Sequence, residues 1–250
     1  MAWVETTSPS FSARHAEEDA DAVVGVLELL EGTRERLEGV LPVVPSGLGV
    51  VVHPTVAQLD LAQPAVPILR RLTAPASRRY LAGWFTPREL HVLAPRLLEA
   101  RASNVPGSRE MLLLTPSALY AQLAAGLSNP ALPPPLRPGT AVRYARFAWL
   151  AAGAGQWFSG QTAHARPAIA RRLREGGEPS FPPGIRDAQL LGGSVLDLLA
   201  REEGEAAAAA LSVAELRDPR RLLEHAFRGR SFVHSAGAWR AHLARMAGGS

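Results

Sequence analysis

The chain has 250 residues, of which 47% are hydrophobic and 20% charged, so it is long enough to bury a core without disulfide bonds. It contains no cysteine, which excludes thiol nucleophiles, disulfides and cysteine-ligated zinc or iron–sulfur centres. All 27 basic residues are arginine, which excludes catalysis by a lysine, and the net charge is only +4.

The first 21 residues are acidic and lack a basic stretch followed by an apolar run, so they do not resemble a secretory signal. The longest apolar stretches, such as residues 39–53, are interrupted by proline and glycine. None approaches the roughly 18 uninterrupted apolar residues that a membrane span needs. We therefore expect a cytoplasmic protein without a membrane partner.

The first elements of secondary structure follow from hydrophobic spacing. Apolar residues recur at helical spacing through residues 15–41, which predicts a long amphipathic helix. The run of three valines at residues 50–52, which ends at His53, predicts a short buried strand.

Residues 79–95 allow two interpretations. Residues 86–89 read Thr-Pro-Arg-Glu, which fits a helix capping box with proline at the first helical position. Residues 81–85 and 90–93 fit instead the two strands of a hairpin. The hairpin is favoured, because a lone strand at 50–53 needs partners.

Beyond about residue 104 helical patterns dominate. Helices are predicted at 115–127, 140–158, 164–175, 186–203, 219–227 and 239–246, and the proline-rich residues 129–139 form an extended connector. The predicted fold class is therefore α+β. Residues 1–104 would hold the first helix and a small sheet, and residues 105–250 a mainly helical part.

Residues 149–160 read Trp-Leu-Ala-Ala-Gly-Ala-Gly-Gln-Trp-Phe-Ser-Gly. This segment resembles a helix of the gluzincin zinc metallopeptidases, whose pattern is W-L-x-E-G-x-A-E-Y-F-x-G. Residues 188–199 and 224–232, followed by Trp239, resemble later segments of that family in the same order. The resemblance spans roughly residues 15–246, and it implies that the helical part is thermolysin-like.

In that family, two histidines of an H-E-x-x-H helix and a later glutamate hold zinc, and the glutamate of the motif is the general base. In register with H-E-L-A-H, residues 121–125 of this chain read Ala-Gln-Leu-Ala-Ala. The vestigial site positions implied by the resemblance are Ala121, Gln122, Ala125 and Ala152, with Ala152 at the position of the third ligand. No metal, cofactor or catalytic residue is therefore expected.

The resemblance also places a neutral cleft between the two helices that carry these positions. Tyr120, Gln156 and Trp157 are the candidates to line it. The amides and the phenol there could bind a peptide or small molecule through hydrogen bonds, or they could satisfy one another in a filled interior.

The leading hypothesis is a catalytically inactive metallopeptidase-like protein with a binding or scaffold role, through the former cleft or the surface. Its partner is unknown and could be a peptide or a protein. The alternative is an active hydrolase with a non-standard site, built from Glu17, Glu18 and Asp19 or from His225, His234 and His242. A third possibility is an unrelated helical protein, which would lack the pair of helices at 116–127 and 140–158.

The remaining polar groups favour ordinary structural roles. Arginine clusters such as residues 171–174 are interleaved with acidic residues, so we predict surface ion pairs and no nucleic-acid partner. The Gly-Gly-Ser sequence at 192–194 lacks the last glycine of a nucleophile elbow and predicts helix packing. His53 and His91 are interpreted as residues of a strand end and of a hairpin face rather than as catalysts.

Overall fold

The computed structural model describes residues 2–129, 131–132, 141–215 and 218–248. The fold is α+β, with a five-stranded sheet near the N-terminus followed by helices, which confirms the predicted class. The strands are β1 (Trp3–Thr7), β2 (Phe11–Ala16), β3 (Leu48–His53), β4 (Gly83–Phe85) and β5 (Glu89–Leu93).

The spatial order of the strands is β1-β2-β3-β5-β4. The three central strands are parallel to one another, whereas β1 joins β2 and β4 joins β5 as antiparallel pairs. β1 and β4 are therefore the two edges of the sheet.

Alternation along the strands gives the sheet two different faces. The inner face is buried in the main core through Phe11, Ala13, Val50, Val52, Leu90 and Val92. The residues at the alternate positions of these strands, including Arg14, His53 and His91, point to the outer face. Helix α1 (Ala20–Glu38) follows β2 and buries an apolar stripe in the same core: Val23, Val26, Leu27, Leu30 and Leu37.

The N-terminal prediction needs a correction. The predicted helix at 15–41 begins only at Ala20, after a 3-10 turn at 17–19, because residues 15 and 16 complete β2. The hairpin formed by β1 and β2 was not predicted, although β2 alternates between buried and more exposed positions over Phe11–Arg14.

The hairpin interpretation of residues 79–95 is confirmed by β4 and β5, and the helix interpretation is wrong. Thr86 Oγ1 accepts hydrogen bonds from the backbone amides of Arg88 (3.3 Å) and Glu89 (3.0 Å). The same side-chain bonds that would cap a helix therefore close a turn here, which explains why the sequence fitted both patterns.

Short helices that were not predicted connect the strands and lead into the helical part. They are α2 (Val56–Ala62), α3 (Ala65–Leu72), α4 (Pro75–Arg78), α5 (Pro95–Ala100) and α6 (Ser108–Leu113). Helix α3 packs Val66 and Leu69 against Leu81 and Trp84 in a second, smaller core.

The longer helices lie within a few residues of their predicted positions, apart from the last, which begins earlier than predicted. They are α7 (Thr115–Ser128), α8 (Ala141–Phe158), α9 (Arg166–Arg174), α10 (Ile185–Glu203), α11 (Glu205–Ser212), α12 (Pro219–Ala226) and α13 (Phe232–Gly248), and α11 contains the alanine run at 206–210. Most of the connector predicted at 129–139 lies outside the described residues. A single main core includes residues on both sides of residue 104, such as Val50 and Leu123.

Helix α8 packs between α7 and α10, and glycines allow the close crossing of α8 and α10. A Cβ atom at Gly192 would meet the carbonyl oxygen of Trp149 and lie 2.9 Å from the backbone nitrogen of Gly153. Ser194 follows on α10, where its hydroxyl accepts a hydrogen bond from Trp239 Nε1 at 2.8 Å. The 192–194 segment is thus a helix-packing segment, as predicted.

We expect Gly192→Ala to lower the free energy of unfolding by about 1–3 kcal/mol, because the added methyl group meets backbone atoms that cannot rotate away. The control is Gly25→Ala at an exposed position of α1, where a Cβ meets nothing within 4 Å. That change should raise stability by up to about 1 kcal/mol through helix propensity. Urea unfolding curves measure both, and similar values for the two variants would contradict the close crossing.

Candidate functional site

Helices α7 and α8 lie side by side and bring part of the predicted site together. Gln122 on α7 and Ala152 and Gln156 on α8 line one cavity, with the edge strand β4 at its rim. The cavity has a volume of about 30 Å³. It is lined by Tyr80, Leu81, Gly83, Trp84, Thr115, Ala118, Leu119, Gln122, Ala152, Gln156, Gln161 and Gln189.

The cavity is too small for a peptide, since a volume of about 30 Å³ holds roughly two water molecules. Strand β4 lies directly on α7: a Cβ at Gly83 would be 2.6 Å from Leu119 Cδ1. Strand and helix are therefore in direct contact beside the cavity.

Gln156 uses both ends of its amide to connect α8 to α10. Its Oε1 accepts a hydrogen bond from the backbone amide of Gly193 at 2.8 Å, and its Nε2 donates to the carbonyl of Ala188 at 3.3 Å. A glutamate, which the family pattern has at this position, could accept the first bond when ionised but could not donate the second. The glutamine therefore suits a buried structural role.

Gln122 has no comparable partners. Its Nε2 is buried without a hydrogen bond among the described residues, and so are the hydroxyls of Thr115 and Tyr144. Burial raises the pKa of the Tyr144 hydroxyl to about 12, while the nearby Gln122 side chain opposes the shift. Thr115 and Gln122 line the cavity, where a water molecule could satisfy them.

The residues at the vestigial positions do not fit a zinc ion. Ala121, Ala125 and Ala152 are buried and offer no donor atom, and Gln122 offers only an amide. The described residues also contain no group of three or more His, Asp or Glu side chains that could hold a metal ion. These four positions therefore supply neither the ligands nor the general base of a zinc peptidase.

The structure does not bring the other two predicted cleft residues to this cavity. The Tyr120 hydroxyl donates to the carbonyl of Pro45 at 2.7 Å, and its ring packs edge-on against Phe11. Trp157 lies half-buried in a separate surface groove beside α11. Of the three residues predicted to line the cleft, only Gln156 therefore lies at this cavity.

The residues of the alternative hydrolase site serve other roles. Arg96 donates to Glu18 (2.6 Å) and Asp19 (2.9 Å), so the acidic cluster is engaged in ion pairs. His225 and His234 are exposed, whereas His242 is buried with its Nε2 2.8 Å from Asp197 Oδ2. Within the described part of the chain, neither group belongs to a set of three or more side chains that could hold a metal ion.

The arginine cluster at 171–174 differs from the prediction at one position. Arg171 forms the expected surface pair with Glu175, but Arg172 is buried and binds Asp187 through two hydrogen bonds of 2.6 and 3.0 Å. Arg172 lies on the same face of α9 as the buried Ala168 and therefore faces the interior.

Sequence reasoning missed the pairing of two histidines on the outer face of the sheet. His53 Nε2 and His91 Nδ1 are 3.0 Å apart, and both side chains are buried. Their ring centroids are 5.3 Å apart, the separation of two imidazoles that meet edge to edge through a nearly linear hydrogen bond. His91 Nε2 lies 3.6 Å from Glu89 Oε2, and Arg14 binds the other oxygen of Glu89 at 2.7 Å.

This arrangement holds His53 neutral near pH 7. Burial, together with the neighbouring His91, lowers the pKa of His53 to about 4. Burial also lowers the pKa of His91, and the nearby Glu89 carboxylate opposes that shift. Both histidines occupy outward positions on neighbouring strands, which alternation could have indicated, but only the register of β3 and β5 brings them together.

Comparison of the chain with models of known protein families, with curated proteins and with solved structures gave no match. Among the helices of the described residues, none combines the length and the apolar character that crossing a membrane requires.

Proposed function

We propose that this chain is a catalytically inactive, metallopeptidase-like protein that acts by binding a peptide or protein partner. The observation that supports the proposal is the meeting of Gln122, Ala152 and Gln156 at one cavity between α7 and α8, beside an edge strand. The positions that correspond to the general base (Gln122) and the third zinc ligand (Ala152) of the resembled family thus line one cavity, but they hold an amide and a methyl group.

The cavity is too small to hold the proposed partner, so the partner would bind at the surface. A volume of about 30 Å³ excludes a peptide, and Gln156 is already bound to the backbone of α10. The former cleft then acts as part of the core, and the binding surface lies elsewhere on the molecule. The cytoplasmic location stays a prediction.

The first test is metal content and turnover. Protein purified without an affinity tag or chelator is expected to carry zinc well below one equivalent. On a panel of peptides and esters, it should also show no hydrolysis that is abolished by 1,10-phenanthroline. One equivalent of tightly held zinc, or phenanthroline-sensitive hydrolysis, would contradict the proposal and favour the active hydrolase.

The second test restores the lost ligands. The triple variant Ala121→His, Ala125→His, Ala152→Glu should bind Co²⁺ with the visible absorption bands of a tetrahedral site, because three protein ligands suffice for such a centre. The matched control, Ala124→His, Ala125→His, Ala152→Glu, adds the same side chains at adjacent helix positions, where the two imidazoles do not face each other. Circular dichroism would check that both variants fold. Equal Co²⁺ binding by two folded variants would refute the alignment of residues 121–125 with the H-E-L-A-H motif.

A further inference from the structure

A groove on the outer face of the sheet is distinct from the cavity between α7 and α8. It has a volume of about 530 Å³, within the range of small-molecule sites, and lies between β1 and α2. Two large apolar side chains of the groove remain exposed to water, Trp3 (48% exposed) and Leu61 (83%). Apolar walls of this kind favour a ligand with an apolar body.

The deep end of the groove is polar and has a defined direction of hydrogen bonding. Because Glu89 is an acceptor, the proton of His91 belongs on Nε2, which leaves Nδ1 of His91 to accept from Nε2–H of His53. His53 then carries its lone pair on Nδ1. That nitrogen has no hydrogen-bond partner among the described residues, although the His53 side chain is only 4% exposed and lines the groove.

The charges around the groove disfavour an anion. With both imidazoles neutral, the charged groups are Glu5, Arg14 and Glu89, and Arg14 is already bound to Glu89. Their sum is one negative charge. A neutral ligand therefore suits this site better than a carboxylate or a phosphate.

We propose that this groove binds a small, uncharged aromatic molecule whose hydroxyl or ring N–H donates a hydrogen bond to Nδ1 of His53. The ring lies between Trp3 and Leu61, and the donor satisfies the unpartnered Nδ1 of His53. This inference goes beyond the proposed function and does not depend on it, because the groove shares no residue with the α7–α8 cavity.

The test compares p-cresol with its methyl ether, 4-methylanisole, by ligand-observed NMR titration of the full chain. The two probes share the ring and differ in the donor. We expect p-cresol to bind about tenfold more tightly, because the ether would cover Nδ1 of His53 without donating a hydrogen bond to it. In His53→Phe, which keeps a ring of similar size, this preference should disappear.

A pair of surface variants locates the site. Leu61→Asp is expected to weaken p-cresol binding by about tenfold through the loss of apolar contact. The matched control Ile68→Asp changes a residue of α3 that is 58% exposed and does not line the groove, and it should leave the affinity unchanged. The proposal is overturned by an absence of saturable p-cresol binding, by equal affinities for the two probes, or by equal effects of the two variants.

Discussion

Replacing Arg172 with Met is expected to lower the free energy of unfolding by about 3–5 kcal/mol, the largest single effect predicted for this chain. Arg172 donates two hydrogen bonds to Asp187 and two more, of 3.1 and 3.2 Å, to the carbonyls of Gly176 and Gly177. The side chains of the ion pair are 3% and 7% exposed. The variant would leave the Asp187 carboxylate buried without its partner, which is the costly step.

Two further variants test this explanation in urea unfolding experiments. Arg171→Met removes the neighbouring arginine, whose side chain is 48% exposed, and should cost less than about 1 kcal/mol. The double variant Arg172→Met, Asp187→Leu should be more stable than Arg172→Met alone, because it leaves no unpaired carboxylate. If Arg172→Met cost no more than Arg171→Met, the buried pair would not contribute as described.

The second large effect is a loss of stability on acidification that depends on His53. The folded protein holds the pKa of this histidine at about 4, below its ordinary value of 6.5, chiefly through burial. Between these two pH values the unfolded chain binds a proton that the folded chain does not. Stability is therefore unaffected by His53 above pH 6.5 and falls as the pH drops toward 4, by up to about 3 kcal/mol.

Urea unfolding of the wild type and of His53→Gln at several pH values between 7 and 4.5 measures this contribution. The glutamine cannot titrate, so the variant should lose less stability than the wild type over this range. His225→Gln, which replaces an exposed histidine, serves as the control and should follow the wild-type profile. Superimposable profiles for His53→Gln and the wild type would contradict the lowered pKa.

The predictions that succeeded rest on local patterns. The longer helices of the second half follow from apolar spacing and from prolines near their first turns, and these signals act within a few residues of the chain. The N-terminal hairpin was not predicted, because its alternating strand runs directly into a helical pattern. Hydrophobic spacing alone does not show where the strand ends and the helix begins. Thr86 was ambiguous because its hydroxyl can cap a helix or close a turn.

The candidate site was predicted only in part. Gln122, Ala152 and Gln156 meet at one cavity, which follows from packing two helices whose small residues were visible in the sequence. Tyr120 points to Pro45 instead, because its rotational position on α7 faces the sheet. The sequence left open whether the cleft binds a ligand or is a filled interior. The outcome depends on how closely β4 approaches α7, which local patterns do not determine.

The sequence by itself determined that catalysis by cysteine or lysine is excluded, because a chain without these residues lacks their side chains in any fold. It also determined most of the longer helices, whose signals are local. Only the tertiary structure decided that His53 and His91, 38 residues apart, share a hydrogen bond, and that Arg172 is buried against Asp187. Strand register and helix packing set those contacts, and both arise from the whole core rather than from any one segment.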